Sequence, residues 1–240
     1  MSLKKKIEIV YEDNHILIVV KPPNMLTQSD STGDEDLLTA LKEDIKIRHN
    51  KPGNVFLGLV HRLDRPVGGV MVFARTSKAA SRLSEQIRTR TFNKFYLAVV
   101  HGVPEQASGT LVHYLAKNEA MNTVSVVNSP DLGKMASLEY MVKASKNGLS
   151  LLQITLHTGR SHQIRVQMAA TGHPLYGDQK YGAAQNKPGM QLALWSAQIG
   201  FLHPTVREQI SFTSMPPNEY PWSIFEQRHS PPMTLFKRQT

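Results

Sequence analysis

Apolar and polar positions alternate in short runs along most of this chain, and the period lengthens to that of a helix in only a few stretches. Residues 7–11 and 15–20 read as two short strands. They are joined by Glu12-Asp13-Asn14, whose acidic and amide side chains favour a turn. Lys21-Pro22-Pro23-Asn24 then stops regular structure. From 35 to 48 the residues Leu37, Leu38, Leu41 and Ile45 recur at helical spacing, and Asp34 is the expected N-cap. Residues 55–60 and 70–73 are rich in β-formers and flank residues 61–69, which places that segment on a loop between strands. Thr76-Ser77 caps a helix running to 90, with Ala79, Leu83 and Ile87 as its apolar stripe. Strands follow at 95–100, 110–115, 123–127, 136–142 and 149–156, broken by Gly, Pro and Asn turns. The pattern turns helical at 161–171 and stops at Gly172. On that helix His162, Arg165 and Ala169 share a face. Late strands at 192–201 and 208–213 and a short helix at 221–226 complete the reading. Many strands with few helices predict an α+β fold around a largely antiparallel, mixed central sheet with flanking helices.

Composition narrows the class of protein. The 240 residues suit one large domain, expected over 1–226, followed by a basic tail over 227–240. Lys and Arg number 28 against 19 Asp and Glu, a net charge of +9 that favours a polyanionic partner. No basic amphipathic helix or long apolar run points to a membrane, so nucleic acid is the expected partner and the cytoplasm the expected location. With no cysteine the chain has no disulfide, zinc-thiolate site or cysteine nucleophile. A monomer is the simplest state for such a domain.

The chemistry concentrates in two places. His61-Arg62-Leu63-Asp64 sets a carboxylate between two arginines, Arg62 and Arg65, on the loop between strands. About a hundred residues later Thr158-Gly159-Arg160-Ser161-His162-Gln163-Ile164-Arg165 forms a basic cluster whose last arginine is a candidate partner for Asp64. Arg160 and His162 open the third helix, where free N–H groups and the dipole favour phosphate. A metal reading is poor: His157 and His162 are five apart across a turn, without the carboxylate of an H-E-x-x-H pattern.

The motif His61-Arg62-Leu63-Asp64, with Gly69 five residues on, resembles the signature of RluA-type pseudouridine synthases. Lys94-x-Tyr96-x-Ala98-x-Val100-x-Gly102 is similar to the second block of that family. The segment from Thr158 to Arg165 is similar to the third, and Gly172-His173-Pro174-Leu175-x-Gly177-Asp178 to the segment after it. Four blocks in order over residues 7–215 are specific where one would be weak. The resemblance implies the pseudouridine synthase catalytic-domain fold and a cofactor-free, metal-free isomerase. Such an enzyme converts uridine in ribosomal or transfer RNA to its C-glycoside. It implies Asp64 as the essential residue, Tyr96 stacked on the target uracil, and Arg165 orienting the acid. Arg62 would fill the space left by the everted nucleotide, and Arg160 and His162 would seat the RNA backbone.

Departures from the family pattern are local. Val67-Gly68 stands where the first motif has Thr-Ser, Gln167 where a histidine is frequent, and Leu194-Trp195-Ser196 where relatives carry Leu-His-Ala. No S4-like RNA-binding domain, such as many relatives carry, is expected ahead of the catalytic region. Two other classes compete: an RNA-binding or maturation protein without catalysis on the same scaffold, and a metal-dependent phosphodiesterase. Asp64 and Arg165 weigh against the first, since binding alone gains little from an acid facing phosphates. The lack of a second well-placed carboxylate weighs against the other.

Overall fold

The computed structural model describes residues 7–228; most of the expected basic tail, from 229 on, lies outside the described residues. In chain order the elements are β1 (Glu8–Glu12), β2 (Ile16–Lys21), α1 (Leu37–Arg48), β3 (Gly58–Leu59), β4 (Gly68–Ala74), α2 (Ser77–Arg88) and β5 (Asn93–His101). They continue with β6 (Ser108–Asn118), β7 (Thr123–Val127), β8 (Lys134–Lys146), β9 (Leu149–Leu156), α3 (Gln163–Ala170), β10 (Leu194–Leu202) and β11 (Gln209–Thr213), and end with a 3-10 helix, Trp222–Arg228. Residues 7–93 with 198–214 form one compact unit, and residues 94–197 with 215–228 form a second. The fold class is α+β.

In the first unit β2 and β4 are apolar on both faces because both faces are covered. Ile16 to Val19 and Val70 to Ala74 have no exposure to solvent. The two strands pair antiparallel from Ile16 opposite Ala74 to Lys21 opposite Gly69, and β1 pairs outside β2. That register fixes the base of the loop carrying residues 61–67. The stripe of α2, Ala79 and Leu83, packs with Ile16, Ile18, Val70, Val72, Phe92, Ile199 and Phe201, and the rings of Phe92 and Phe201 stack 5.1 Å apart.

Two expectations for this unit are corrected. The first helix starts at Leu37, and its cap is Asp36, whose Oδ1 accepts the Thr39 N–H at 3.0 Å. Asp34 instead pairs with Arg65. The strand expected over 55–60 shrinks to Gly58–Leu59 because only those residues find ladder partners, Ala74 and Phe73, at the end of β4.

The second unit is an antiparallel ladder in the order β5-β9-β8-β6-β7. Strands β6 and β8 outrun their apolar stretches, since eight cross-strand pairs from Ser108–Met141 to Leu115–Lys134 hold them extended. Helix α3 lies over this ladder, with Val166 buried against Leu115, Val124 and Ala136. It ends as the sequence suggested: Gly172, at φ +82°, donates to the Ala169 carbonyl and His173 donates to that of Met168, a Schellman ending. Its start is corrected to Gln163, because His162 takes a left-handed backbone, φ 51°.

Two glycines of this unit separate strain from crowding. Nothing lies within 4 Å of where a Gly172 methyl would point, whereas at Gly177 (φ +77°) a methyl carbon would lie 2.1 Å from the Gln191 carbonyl oxygen. Gly172→Ala is expected to cost about 1 kcal/mol from left-handed strain alone. Gly177→Ala adds a backbone clash and is expected to cost roughly 3 kcal/mol or more. Urea unfolding of the two variants checks the order.

Candidate active site

The loop before β4 is held by its neighbours' polar groups rather than by regular structure. Thr27 Oγ1 donates to the Leu63 carbonyl at 2.8 Å and accepts the Leu63 N–H at 3.3 Å. On the other side of Asp64, the Arg65 carbonyl accepts the ammonium of Lys21 at 3.1 Å. Lys21 is completely buried and also donates to the carbonyls of Met25 (2.6 Å) and Pro22 (3.1 Å). The Asp64 carbonyl accepts the Val67 N–H at 3.0 Å, closing a turn. Asp64 is therefore a half-buried carboxylate whose flanking residues are both pinned.

The remaining groups of the first motif take different surroundings. His61 accepts the Val72 N–H on Nε2 and lies 5.6 Å from the Phe92 ring, a packing role within the unit. Arg62 is exposed and has no hydrogen-bond or ion-pair partner among the described residues. Arg65 is exposed and paired with Asp34 at 2.7 Å.

In the second unit Tyr96 is buried on β5, opposite Ile154 of β9. Arg165 is buried on α3 and held in a two-pronged pair by Asp178: Nε donates to Oδ2 and Nη2 to Oδ1, each at 2.8 Å. The guanidinium carbon lies 5.1 Å from the Tyr181 ring centroid, close enough for a cation–π contact. Burial pushes the Asp178 carboxyl up. The hydrogen bonds and charge of Arg165, with the N–H groups of Tyr181 and Lys180, outweigh it and hold the group below the usual carboxylate range. Asn186 braces the same turn, accepting the Gly177 N–H at 2.6 Å and donating to the carbonyls of Leu175, Asp178 and Gly182.

Arg160 and His162 lie at the start of α3, and both side chains are engaged within the protein. His162 is the residue just before α3 and makes no side-chain cap, and Tyr181 contacts both it and Arg165. The His162 Nδ1 shares a 2.6 Å hydrogen bond with Tyr181 Oη. Arg160 is exposed, with Nε on the Met135 carbonyl, and its N–H is taken by Gln163 Oε1. Gln167 is wholly buried and donates to the carbonyls of Leu111 and Ala136. The residue that sequence reasoning passed over is Asp178. It was visible as the end of the fourth block, but nothing in its spacing tied it to Arg165. Lys21 and Thr27 carried no signal at all. Among the described residues no group of three His, Cys, Asp or Glu side chains is placed to hold a metal ion, and no helix is long and apolar enough to cross a membrane.

Asp178→Asn removes the carboxylate that holds a buried guanidinium by two hydrogen bonds and is expected to cost about 3 kcal/mol. Because the folded carboxyl titrates below its unfolded value, this stability is complete above about pH 4. It is lost as the pH falls through the folded pKa. The gap between wild type and Asp178→Asn should thus be constant near neutrality and close in acid, measured by urea unfolding across pH.

The family described as RNA pseudouridylate synthase matches residues 15–170 of this chain. A ribosomal large subunit pseudouridine synthase D of Zymomonas mobilis is 32% identical over 223 residues, covering 89% of this chain and 70% of its own length. An uncharacterised RNA pseudouridine synthase of Bacillus subtilis is 32% identical over 213 residues, covering 85% of this chain and 67% of its own. Among solved structures, human RNA pseudouridylate synthase domain containing 4 superposes with a TM-score of 0.74, at 22% identity, over 88% of both chains. A family match over more than half the chain and relatives of this identity leave one assignment: the chain belongs to the RluA-type RNA pseudouridine synthases and is an isomerase acting on RNA.

Proposed function

We propose that the chain converts specific uridines of ribosomal or transfer RNA to pseudouridine, with Asp64 as the essential group and the target nucleoside turned out of its stack. The observation that carries this reading is the clamp on residues 63 and 65, which holds one half-buried carboxylate still between two exposed arginines. A carboxylate is ionised at neutral pH, so it needs no partner base to become nucleophilic. In the reaction the bond from ribose C1′ to N1 breaks and one from C1′ to C5 forms. N1 gains a proton and C5 releases one, so no cofactor is consumed. Attack on C1′, attack on C6 and proton removal to a glycal all need a single carboxylate fixed beside the glycosidic bond.

The other residues take roles their surroundings suit. Tyr96 receives the uracil, because a phenol ring offers a flat apolar face with a hydroxyl at its edge. Arg165 orients the acid, and its own orientation is set by Asp178. Arg62, exposed and without a partner among the described residues, enters the space that the everted nucleotide leaves. Arg160 and His162 seat the RNA backbone. The location is the cytoplasm, and the ribosomal assignment is supported by the name of the Zymomonas relative.

The test is release of tritium from RNA labelled at uridine C5, without added metal or nucleotide. Wild type should release it from ribosomal or transfer RNA transcribed without modification. Asp64→Asn should reduce release by roughly a thousandfold or more, as removal of a nucleophile does, while RNA binding is retained. Release by that variant at the wild-type rate would overturn the mechanism.

A further inference from the structure

Strand β5 presents Lys94 and Tyr96 on the same face, two residues and about 6.8 Å apart. Tyr96 is buried and Lys94 partly so. The ammonium of Lys94 reaches the turn of the third motif, where a methyl group at Gly159 would lie 3.2 Å from Nζ. A side chain at 159 would therefore crowd the amine, and glycine keeps the approach open. Gly159 and Arg160 are themselves exposed.

No carboxylate, carbonyl or hydroxyl hydrogen-bonds this ammonium among the described residues. Burial alone pushes Lys94 below the usual lysine range. The contrast with the other buried cations is direct, since Lys21 has three carbonyls and Arg165 a carboxylate. A partly desolvated charge that the protein leaves uncompensated lowers stability unless an anion from outside completes it.

We propose that Lys94 Nζ binds a backbone phosphate of the RNA, the one adjoining the nucleoside that Tyr96 receives. The assignment rests on the function proposed above, which supplies a phosphate one nucleotide step from the base. The separation of the two side chains along β5 is of that order. The partner's chemistry is a phosphodiester oxygen, which accepts from an ammonium and carries the charge the site lacks. Lys94 thus positions substrate and takes no part in bond making.

The experiment measures binding of a fluorescein-labelled RNA hairpin with a uridine-rich loop between about 50 and 200 mM salt. Wild type, Lys94→Met and Lys94→Arg are compared, with folding checked by circular dichroism. Loss of one phosphate contact should reduce the slope of log K against log salt by about 0.7 to 0.9 in Lys94→Met and weaken binding roughly tenfold. Lys94→Arg should restore most of both. An unchanged slope in folded Lys94→Met, or no hairpin binding by wild type, overturns the proposal. Should Lys94→Met fail to fold, the Cε resonance of Lys94 in the wild-type protein decides: a shift on adding the hairpin supports the contact, and none overturns it. Tritium release run alongside separates the two readings. A changed slope without release by wild type sinks the isomerase assignment and keeps the contact; release with an unchanged slope does the reverse.

Discussion

Positive charge taken fully out of water has to be answered, and each compact unit has one cation that the protein itself answers. Lys21, without any exposure, is answered by the carbonyls of Pro22, Met25 and Arg65. Those three oxygens come from the segment after β2 and from the loop before β4, so satisfying one ammonium ties the two segments together. Arg165 is answered by both oxygens of Asp178, and that carboxylate is held in turn by N–H groups of its own tight turn. A hydrocarbon of equal volume could fill either position, but it could not fix the direction of the surrounding polar groups.

The buried cations differ in task from the exposed ones. Arg62 and Arg160 stand in solvent, where their attraction for a polyanion reaches across about 10 Å and fades with salt. Together with the net charge of +9 they give the chain a field that attracts polyanions. Arg165 contributes little to that distant field, since its charge is already matched by Asp178. What it keeps is geometry: a planar guanidinium locked from one edge by a carboxylate and covered by the Tyr181 ring. Charge that reaches into solvent lies on the surface, and charge held in fixed geometry lies in the interior.

Most elements were legible in the alternation of side chains. Strands β2 and β4 and helix α2 announce themselves by unbroken apolar runs or by a three-to-four-residue stripe. The errors fall where local preference is close to balanced. Asp34 and Asp36 are both competent caps, and the choice went to Asp36, buried at the helix start, while Asp34 found Arg65. Residues 55–57 have strand-forming side chains but no ladder partner in β4. His162 sits at helical spacing from Arg165, yet its backbone turned left-handed and its ring bonded Tyr181, an interaction across nineteen residues. The candidate acid and arginine were legible because motifs are written contiguously. Asp178, Lys21 and Thr27 were not, because their work is defined by partners distant in sequence.

The same reasoning explains how the chain tolerates its departures from the family pattern. Val67 replaces a hydroxyl residue beside the acid, but it is buried, and the turn it closes depends on its N–H bonding the Asp64 carbonyl. Lys21 and Thr27 hold the flanking carbonyls regardless of what side chain stands at 67. Trading a hydroxyl for an apolar side chain there adds burial without leaving a donor unanswered, which a buried threonine hydroxyl would risk. Gln167 follows the rule with its amide nitrogen alone, its Oε1 being buried without a hydrogen-bond partner among the described residues. It is a polar residue with no exposure, and its amide nitrogen lies within hydrogen-bond reach of the Leu111 and Ala136 carbonyls and of His113 Nδ1, stitching α3 to the ladder beneath. Neither substitution touches the groups that pin residues 63 and 65 or the pair that aims Arg165. The motif's letters at 67 and 167 can therefore change while the restraints around the acid and the arginine remain.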